Sequence, residues 1–398
     1  MRDFSYIAKN RDGEVVKGQM EAQDETSAAK LLTSKNLFPV SISVKEKSSF
    51  NFFNRVSLKD KSFFARQLAT TISAGLPITQ ALTIIKDQIT KKGFRDVIEQ
   101  LTHDVEGGMQ LTASMSRFGD VFTTVEITLV AAGETSGTLD KALIRMADTL
   151  ENDYRLNRKL RSALAYPGFI LFVVLLVVVM MTVYVMPQMK GLYATFNAKL
   201  PPLTLFMLAI SDILQKFGVL VLAVIIGIFL GLQYWIKRTD QGRYAWDTLK
   251  IKTPVINKFL MQVYASRFSR TMSGLIGSGV SIIDSLNITS RAIGNVIYRD
   301  FLLAASEKVK GGIPLSTPLK QEGLFPTIVP QMLLVGEQTG EIDNMLTRLA
   351  DFFDEEVDNT VKSITSIIEP FIIVLMGGIV CLLLVAIMLP IYSIGKVL

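Results

Sequence analysis

The sequence predicts an all-α membrane protein: two repeated cytoplasmic antiparallel helical bundles plus three transmembrane helices, with a small N-terminal ββαβ module. Three observations carry this prediction. Hydrophobic residues make up 49% of the 398 residues and charged residues 20%, too apolar for an ordinary soluble protein and too charged for a fully embedded one. Three uncharged stretches are each long enough to cross a bilayer. Glycines, prolines and charged residues recur in register at an offset of 204 residues, then 203.

The spans come first because they fix the frame. Pro167 and Pro187 bracket 19 uncharged residues, as do Pro370 and Pro390, and Phe217–Ile236 is equally clean. In hydrocarbon a helix satisfies its own backbone, so each stretch reads as a transmembrane helix. Arg155, Arg158, Lys159 and Arg161 precede the first span, and Lys237, Arg238, Arg243, Lys250 and Lys252 follow the second. The loop between those spans offers only Lys190 and Lys199, and the tail only Lys396. Bases concentrate on the cytoplasmic side, so the N-terminus and residues 237–369 are expected inside, and the C-terminus outside. Met1-Arg2-Asp3-Phe4 begins no apolar segment, so no cleaved signal peptide is expected.

The repeat sets the domain plan. Phe64–Leu82 aligns with Phe268–Leu286, pairing Arg66 with Arg270 and Gly75 with Gly279. Gly133, Glu134 and Gly137 of GETSG match Gly336, Glu337 and Gly340 of GEQTG, and Pro167 matches Pro370. Apolar residues recur at three and four spacing (Leu68, Ile72, Leu76; Leu139, Leu143, Met146, Leu150), which predicts helices. Ser57 followed by Asp60 reads as a helix start. The expected boundaries are bundle 1 over 57–166, transmembrane helix 1 over 168–186, a short outer loop over 187–204, and transmembrane helix 2 over 205–236. Bundle 2 covers 237–369, transmembrane helix 3 covers 371–389, and an outward-facing tail covers 390–398. A proline at a bilayer boundary either starts a span or kinks a continuous helix.

Ahead of the repeat, Phe4–Ala8, a turn at Arg11-Asp12-Gly13 and Glu14–Ala22 read as a hairpin. A helix over Thr26–Lys35 and a strand over Pro39–Val44 complete a ββαβ module over 1–45. The linker over 46–56 carries Phe50, Phe52 and Phe53, read as a hydrophobic hinge or a contact with lipid or a partner.

Several chemistries find no residues. There is no GxxxxGK[ST] loop, no HExxH and no GxSxG, so no catalytic residue and no cofactor site is assigned. One cysteine (Cys381, read as a small buried hydrophobe) and one histidine (His103, a surface or packing residue) cannot make a disulfide or a Cys/His metal site. The net charge of +6 is spread thinly, which excludes a nucleic-acid-binding surface. GLIGSG (Gly274–Gly279) lacks dinucleotide spacing and reads as a helix end. GETSG and GEQTG lack the lysine and preceding strand of a phosphate loop and read as helix-joining turns. Glu134 and Glu337 are then expected to cap a helix N-terminus or meet a partner.

Before the third span, Asp351, Asp354, Glu355, Glu356 and Asp358 form an acidic run. Its readings are a solvated face, a surface meeting the basic run at Arg155–Arg161, or, through Asp354, Glu355 and Asp358, a divalent-cation site. Gly227-x-x-x-Gly231 permits a close helix approach. Few ionisable groups lie in the spans, and Glu369 sits at a boundary, which argues against a transporter. Arg66 and Arg270 are expected to hold their own helices or to face a partner.

Taken together, these motifs resemble the type II secretion F / PilC-like inner-membrane platform proteins. The resemblance spans the chain: Ala8, Gly13, Gly18 and Ala22 in the hairpin, Phe64–Leu82, both GExxG-type turns, Tyr166-Pro167, Glu369-Pro370 and the tail Leu389–Leu398. The tail is similar to pilus-type members. The resemblance implies a multi-pass protein of the bacterial cytoplasmic (inner) membrane in a type IV pilus assembly machine. Implied partners are a cytoplasmic pilus assembly or retraction ATPase, prepilins or pseudopilins, inner-membrane alignment-complex proteins, membrane lipids and the chain itself, as a dimer or higher oligomer. A type II secretion platform is the neighbouring reading; a membrane transporter is the alternative of a different class.

Overall fold

The computed structural model describes residues 2–9, 15–22, 27, 31–33, 38–44, 56–185, 187–188, 202–321 and 323–395. The turn expected at Arg11-Asp12-Gly13, the aromatics Phe50, Phe52 and Phe53, and the bases Lys190, Lys199 and Lys396 lie outside them.

The N-terminal segment forms an antiparallel sheet of β1 (Arg2–Lys9), β2 (Val15–Ala22) and β3 (Phe38–Val44), in the order β2-β1-β3. Arg2 pairs with Ala22 and Lys9 with Val15, and the β1–β3 register shifts between Ile7 and Ala8. Helix between β2 and β3 is described only at Ser27 and Leu31–Thr33, so of the strand–strand–helix–strand reading the three strands alone are described in full.

The second unit is helical. It opens with α1 (Leu58–Ser73), α2 (Ile78–Gln88), α3 (Lys92–Glu106), α4 (Leu111–Ser116), α5 (Thr124–Ser136) and α6 (Leu139–Met180). Ser57 caps α1: its hydroxyl accepts from the Asp60 amide at 3.3 Å while the Asp60 carboxylate accepts from the Ser57 amide at 3.0 Å. Phe64, Leu68, Leu143, Met146 and Leu150, spaced by three and four, are buried where α1 lies along α6. Burying each such side chain contributes about 1.5–3 kcal/mol. α6 does not stop at Pro167; its 42 residues run without a break into a π-helical turn at Met181–Val185.

Next comes α7 (Pro202–Arg238), which returns along that turn. The Ser211 hydroxyl donates to the Thr182 carbonyl at 2.6 Å and the Gln215 amide to the Val183 carbonyl at 3.0 Å. A π turn misaligns its own ladder, and these side chains occupy the carbonyls. A second set follows: α8 (Asp240–Lys252), α9 (Pro254–Ile276), α10 (Ile282–Ala292), α11 (Val296–Lys310), α12 (Ser316–Gln321), α13 (Ile328–Thr339) and α14 (Ile342–Gly395). Its core centres on Phe268, Tyr298 and Phe325, with Phe268 and Phe325 ring centres 4.9 Å apart and Tyr298 edge-on to Phe325 at 5.3 Å. Phe64 and Phe122, the matching residues of the first set, stand 6.0 Å apart.

Among the described residues three helices are long and apolar enough to cross a membrane, within Leu139–Val185, Leu205–Arg238 and Ile342–Leu382. One expectation is corrected here: Cys381 is exposed on α14, on the outside of an apolar segment that the chain leaves uncovered. Among the described residues nothing comes within 4 Å of a Cβ placed at Gly227 or Gly231. GLIGSG ends α9, as its sequence predicts.

Candidate functional site

The arginines singled out by the repeat each clamp two helices of their own set. Arg66 on α1 donates to Asp148 at 2.5 Å and to Glu151 at 2.7 Å on α6. Arg270 on α9 donates to Asp351 at 3.0 Å and to Asp354 at 2.5 Å on α14. In both sets the carboxylates are three residues apart, which puts them on one helix face. Hydrogen bonding to Glu151, with Asp148 behind it, raises the Arg66 pKa further above its already basic range. Both guanidinium groups are thus turned to carboxylates of their own set.

Glu134 and Glu337 occupy helix starts. The Glu134 carboxylate accepts from the Leu111 amide at 2.7 Å, the Thr112 amide at 3.1 Å and the Thr112 hydroxyl at 2.5 Å, at the start of α4. Glu337 accepts from the Leu315 amide, from the Ser316 amide at 3.4 Å and from the Ser316 hydroxyl at 2.5 Å, at the start of α12. Each carboxylate satisfies the free amides and the positive end of a short helix, the place a bound anion would take. The glycine beside it lets helices touch: a Cβ on Gly133 would stand 2.5 Å from Ala142 Cβ, and one on Gly336 2.9 Å from Ile342 Cα. Gly137 and Gly340 close α5 and α13 in the left-handed conformation, at φ 70° and 76°. Gly75 and Gly279 lie just beyond α1 and α9, and Pro167 and Pro370 lie inside α6 and α14.

Where the two sets meet, α5 and α6 rest on α9 and α10, and α6 touches α14. Arg145 on α6 donates to the Ser273 and Gly274 carbonyls, both at 3.3 Å, at the C-terminal end of α9. A cation there complements the negative end of the helix. Lys159 pairs with Asp358, and Arg267 stands 3.9 Å from Asp153. Of the basic run before the first span, Lys159 thus meets the acidic run, while Arg158 lies over the Tyr154 ring at 5.9 Å. The seam encloses a cavity of about 510 Å³, lined by Lys61, Glu126, Asp153, Arg267, Arg270 and Asp354 among others.

The cation site read from Asp354, Glu355 and Asp358 does not assemble. Asp354 is held by Arg270 and the Ser266 hydroxyl, Asp358 by Lys159, and Glu355 is exposed. Among the described residues no group of three His, Cys, Asp or Glu side chains is placed to hold a metal ion.

Three buried groups escaped the sequence reading. Lys61 pairs with Glu126 at 2.7 Å and donates to the Val121 carbonyl at 2.7 Å. Asp104 on α3 accepts from Ser114 at 2.6 Å and Arg117 at 2.7 Å, and the Ser114 bond, with Gln100 and Arg117, holds its carboxyl below the usual range against the effect of burial. Asp247 accepts from the Val296 amide at 3.0 Å and pairs with Lys250 at 2.9 Å, tying α8 to α11. Each sits among polar residues that read as solvent-facing, so only the pairing of Asp247 with Lys250 at i,i+3 offered a signal.

The duplicated clamps, caps and close glycines are matched by a family comparison. The model for the type II secretion system (T2SS), protein F, matches twice, over residues 64–187 and 268–390, and that of its N-terminal domain matches residues 1–43. The chain belongs to the type II secretion system protein F family. Each of the two family matches takes in one arginine clamp and one carboxylate cap of this chain. The chain is 36% identical to the type IV pilus assembly protein PilC of Thermus thermophilus, covering 98% of each chain. It is 34% identical to PilC of Myxococcus xanthus, over 98% of this chain and 95% of that one. It is 31% identical to the type II secretion system protein F of Vibrio cholerae, over 100% of this chain and 99% of that one. With three apolar helices, this family member is a multi-pass membrane protein.

Proposed function

We propose that the chain is the inner-membrane platform protein of a type IV pilus assembly machine, coupling a cytoplasmic assembly ATPase to insertion of pilin subunits into the filament. The observation that carries the reading is helix continuity. α6 and α14 each begin clamped by an arginine in a soluble helical set and run unbroken through Pro167 or Pro370 into an apolar span. A displacement of either set is thereby delivered into the membrane without a loop to absorb it. The two PilC relatives, at 36% and 34% identity, favour the pilus branch.

In this reading both helical sets stand in the cytoplasm, over 57–166 and 237–369, with the C-terminus outside, because bases flank the cytoplasmic ends of the first two spans. The chain does no chemistry of its own; its partners are the ATPase, prepilins, alignment-complex proteins and lipids. The secretion reading, with pseudopilins as partners, is supported by the 31% identical secretion protein of Vibrio cholerae.

Co-purification from membranes tests both. The assembly ATPase and a pilin are expected with the full chain; pseudopilins in their place would shift the reading to secretion, and neither would remove it. Four glycines inserted after Tyr166 should abolish filament assembly while leaving ATPase capture intact. Filaments at normal length from that variant would defeat the coupling role.

A further inference from the structure

The two helical sets do not meet symmetrically. α5 and α6 rest on α9 and α10. A two-fold relation would return the contact, with α13 and α14 resting on α1 and α2, and among the described residues those helices do not pack together. The contact is head-to-tail. Each set therefore keeps one face that its counterpart uses: α1 and α2 in the first, α13 and α14 in the second.

The used faces show what the free ones are built to do. Val125 and Leu129 of α5 are 7% and 1% open, and Leu129 Cδ2 lies 3.8 Å from where a Cβ on Gly274 would stand. At the matching positions of α13 stand Ile328, 36% open, and Met332, half-buried against its own core, two turns and one turn before Val335, which is 45% open. Thr149 and Arg267, which line the seam cavity, are matched on the free faces by Phe352, 44% open, and Phe63, 39% open. Ile288, on the same cavity, is matched by Ile84, 37% open. At these positions the free faces carry exposed apolar side chains, and apolar surface of this kind marks an interface. Charge at the matching positions is mixed: Lys59 and Glu355 stand where Val263 and Asn152 line the two sides of the cavity, and among the described residues neither makes an ion pair, whereas Asp87 stands where Arg291 does.

We propose that the α13/α14 face of one copy binds the α1/α2 face of a second copy of this chain, repeating between molecules the contact that joins the two sets within one. α6 and α14, the same helix of each set, both continue into spans, so an operation carrying one set onto the other keeps its membrane side. Repeated, it stays in the membrane plane and yields an arc or a closed ring rather than a two-fold dimer. One contact differs: Ser73 stands where Gly277 admits Arg145, so Arg348, the counterpart of Arg145, meets a side chain there. The inference does not depend on whether the machine assembles pili or secretes.

Cysteine cross-linking in membranes tests it. Two differently tagged full-length chains, both Cys381→Ser, carry Thr70→Cys on one and Met332→Cys on the other, the counterparts of Gly274 and Leu129. Mild oxidation should join the two tags, and adding Phe352→Glu should lower that product at least about tenfold while Phe352→Leu retains it. Products only between identical tags would show an isologous dimer and overturn the proposal. So would uncross-linked chain alone, whether the faces are free or covered by another protein.

Discussion

Lys61 Nζ and Glu126 Oε1 form a 2.7 Å ion pair whose side chains are only 11% and 7% open. In the second set the matching positions are Ala265 and Val329, both fully buried and apolar. Removing one partner of a buried pair strands the other charge, whereas replacing both with fitting apolar groups is close to neutral. Glu126→Val alone should therefore destabilise by about 3 kcal/mol. Adding Lys61→Ala should restore most of that loss. Thermal unfolding in detergent across the four members of the cycle measures it, and equal losses for the single and double variants would contradict the argument.

The glycines that touch a neighbouring helix should tolerate no methyl group. Gly133→Ala places a Cβ 2.5 Å from that of Ala142, and Gly336→Ala one 2.9 Å from Ile342 Cα. Overpacking at backbone contact costs about 1–3 kcal/mol. Both variants should melt below the parent, whereas Gly119→Ala, with nothing within 4 Å, serves as the neutral control.

The carboxylate caps should act locally. Glu134→Ala leaves the Leu111 and Thr112 amides without their acceptor, a loss of about 1–2 kcal/mol. Amide hydrogen exchange over 111–116 should quicken, with little change over 316–321, where Glu337 does the same task. Glu337→Ala should reverse the pattern.

Asp104 supplies a pH signature. Its carboxyl is held below the ordinary 3.8 by the Ser114 hydroxyl first, then Gln100 and Arg117. A depressed folded value stabilises the fold above the unfolded pKa, and that stability is lost as the pH falls through the folded value. Asp104→Asn should lower stability at neutral pH and flatten its decline below about pH 4. Denaturant midpoints at pH 7 and at pH 3 would check it; an unchanged slope would assign the acid limb to other carboxylates.

What was legible in the sequence was whatever repeats. The register of the two segments singled out Arg66, Arg270, Glu134 and Glu337, and the structure seats each pair on matching partners. The partners themselves were harder to see. Asp148 and Asp351 lie on long helices whose outer faces are rich in acids, and nothing local distinguishes a clamped carboxylate from a solvated one. Lys61 follows Lys59 and Asp60 in a stretch that looks wholly exposed, yet the helix turn sends it inward to Glu126. Asp354, read for a cation, finds the guanidinium of Arg270 instead, a contact across 84 residues. Periodicity gave the helices but could not tell whether Pro167 and Pro370 end one and start another.

Those two prolines have a mechanical consequence. Proline has no amide hydrogen, so the carbonyls of Ala163 and Ser366, four residues earlier, lack the bond that the neighbouring turns supply. α6 and α14 each have a compliant turn at matching positions close to where the apolar stretch begins, and Pro390 lies a further twenty residues along α14. Load applied at the clamped ends concentrates there. A structure built of two such rods would flex in step at one height, as a door swings on hinges set along a single axis.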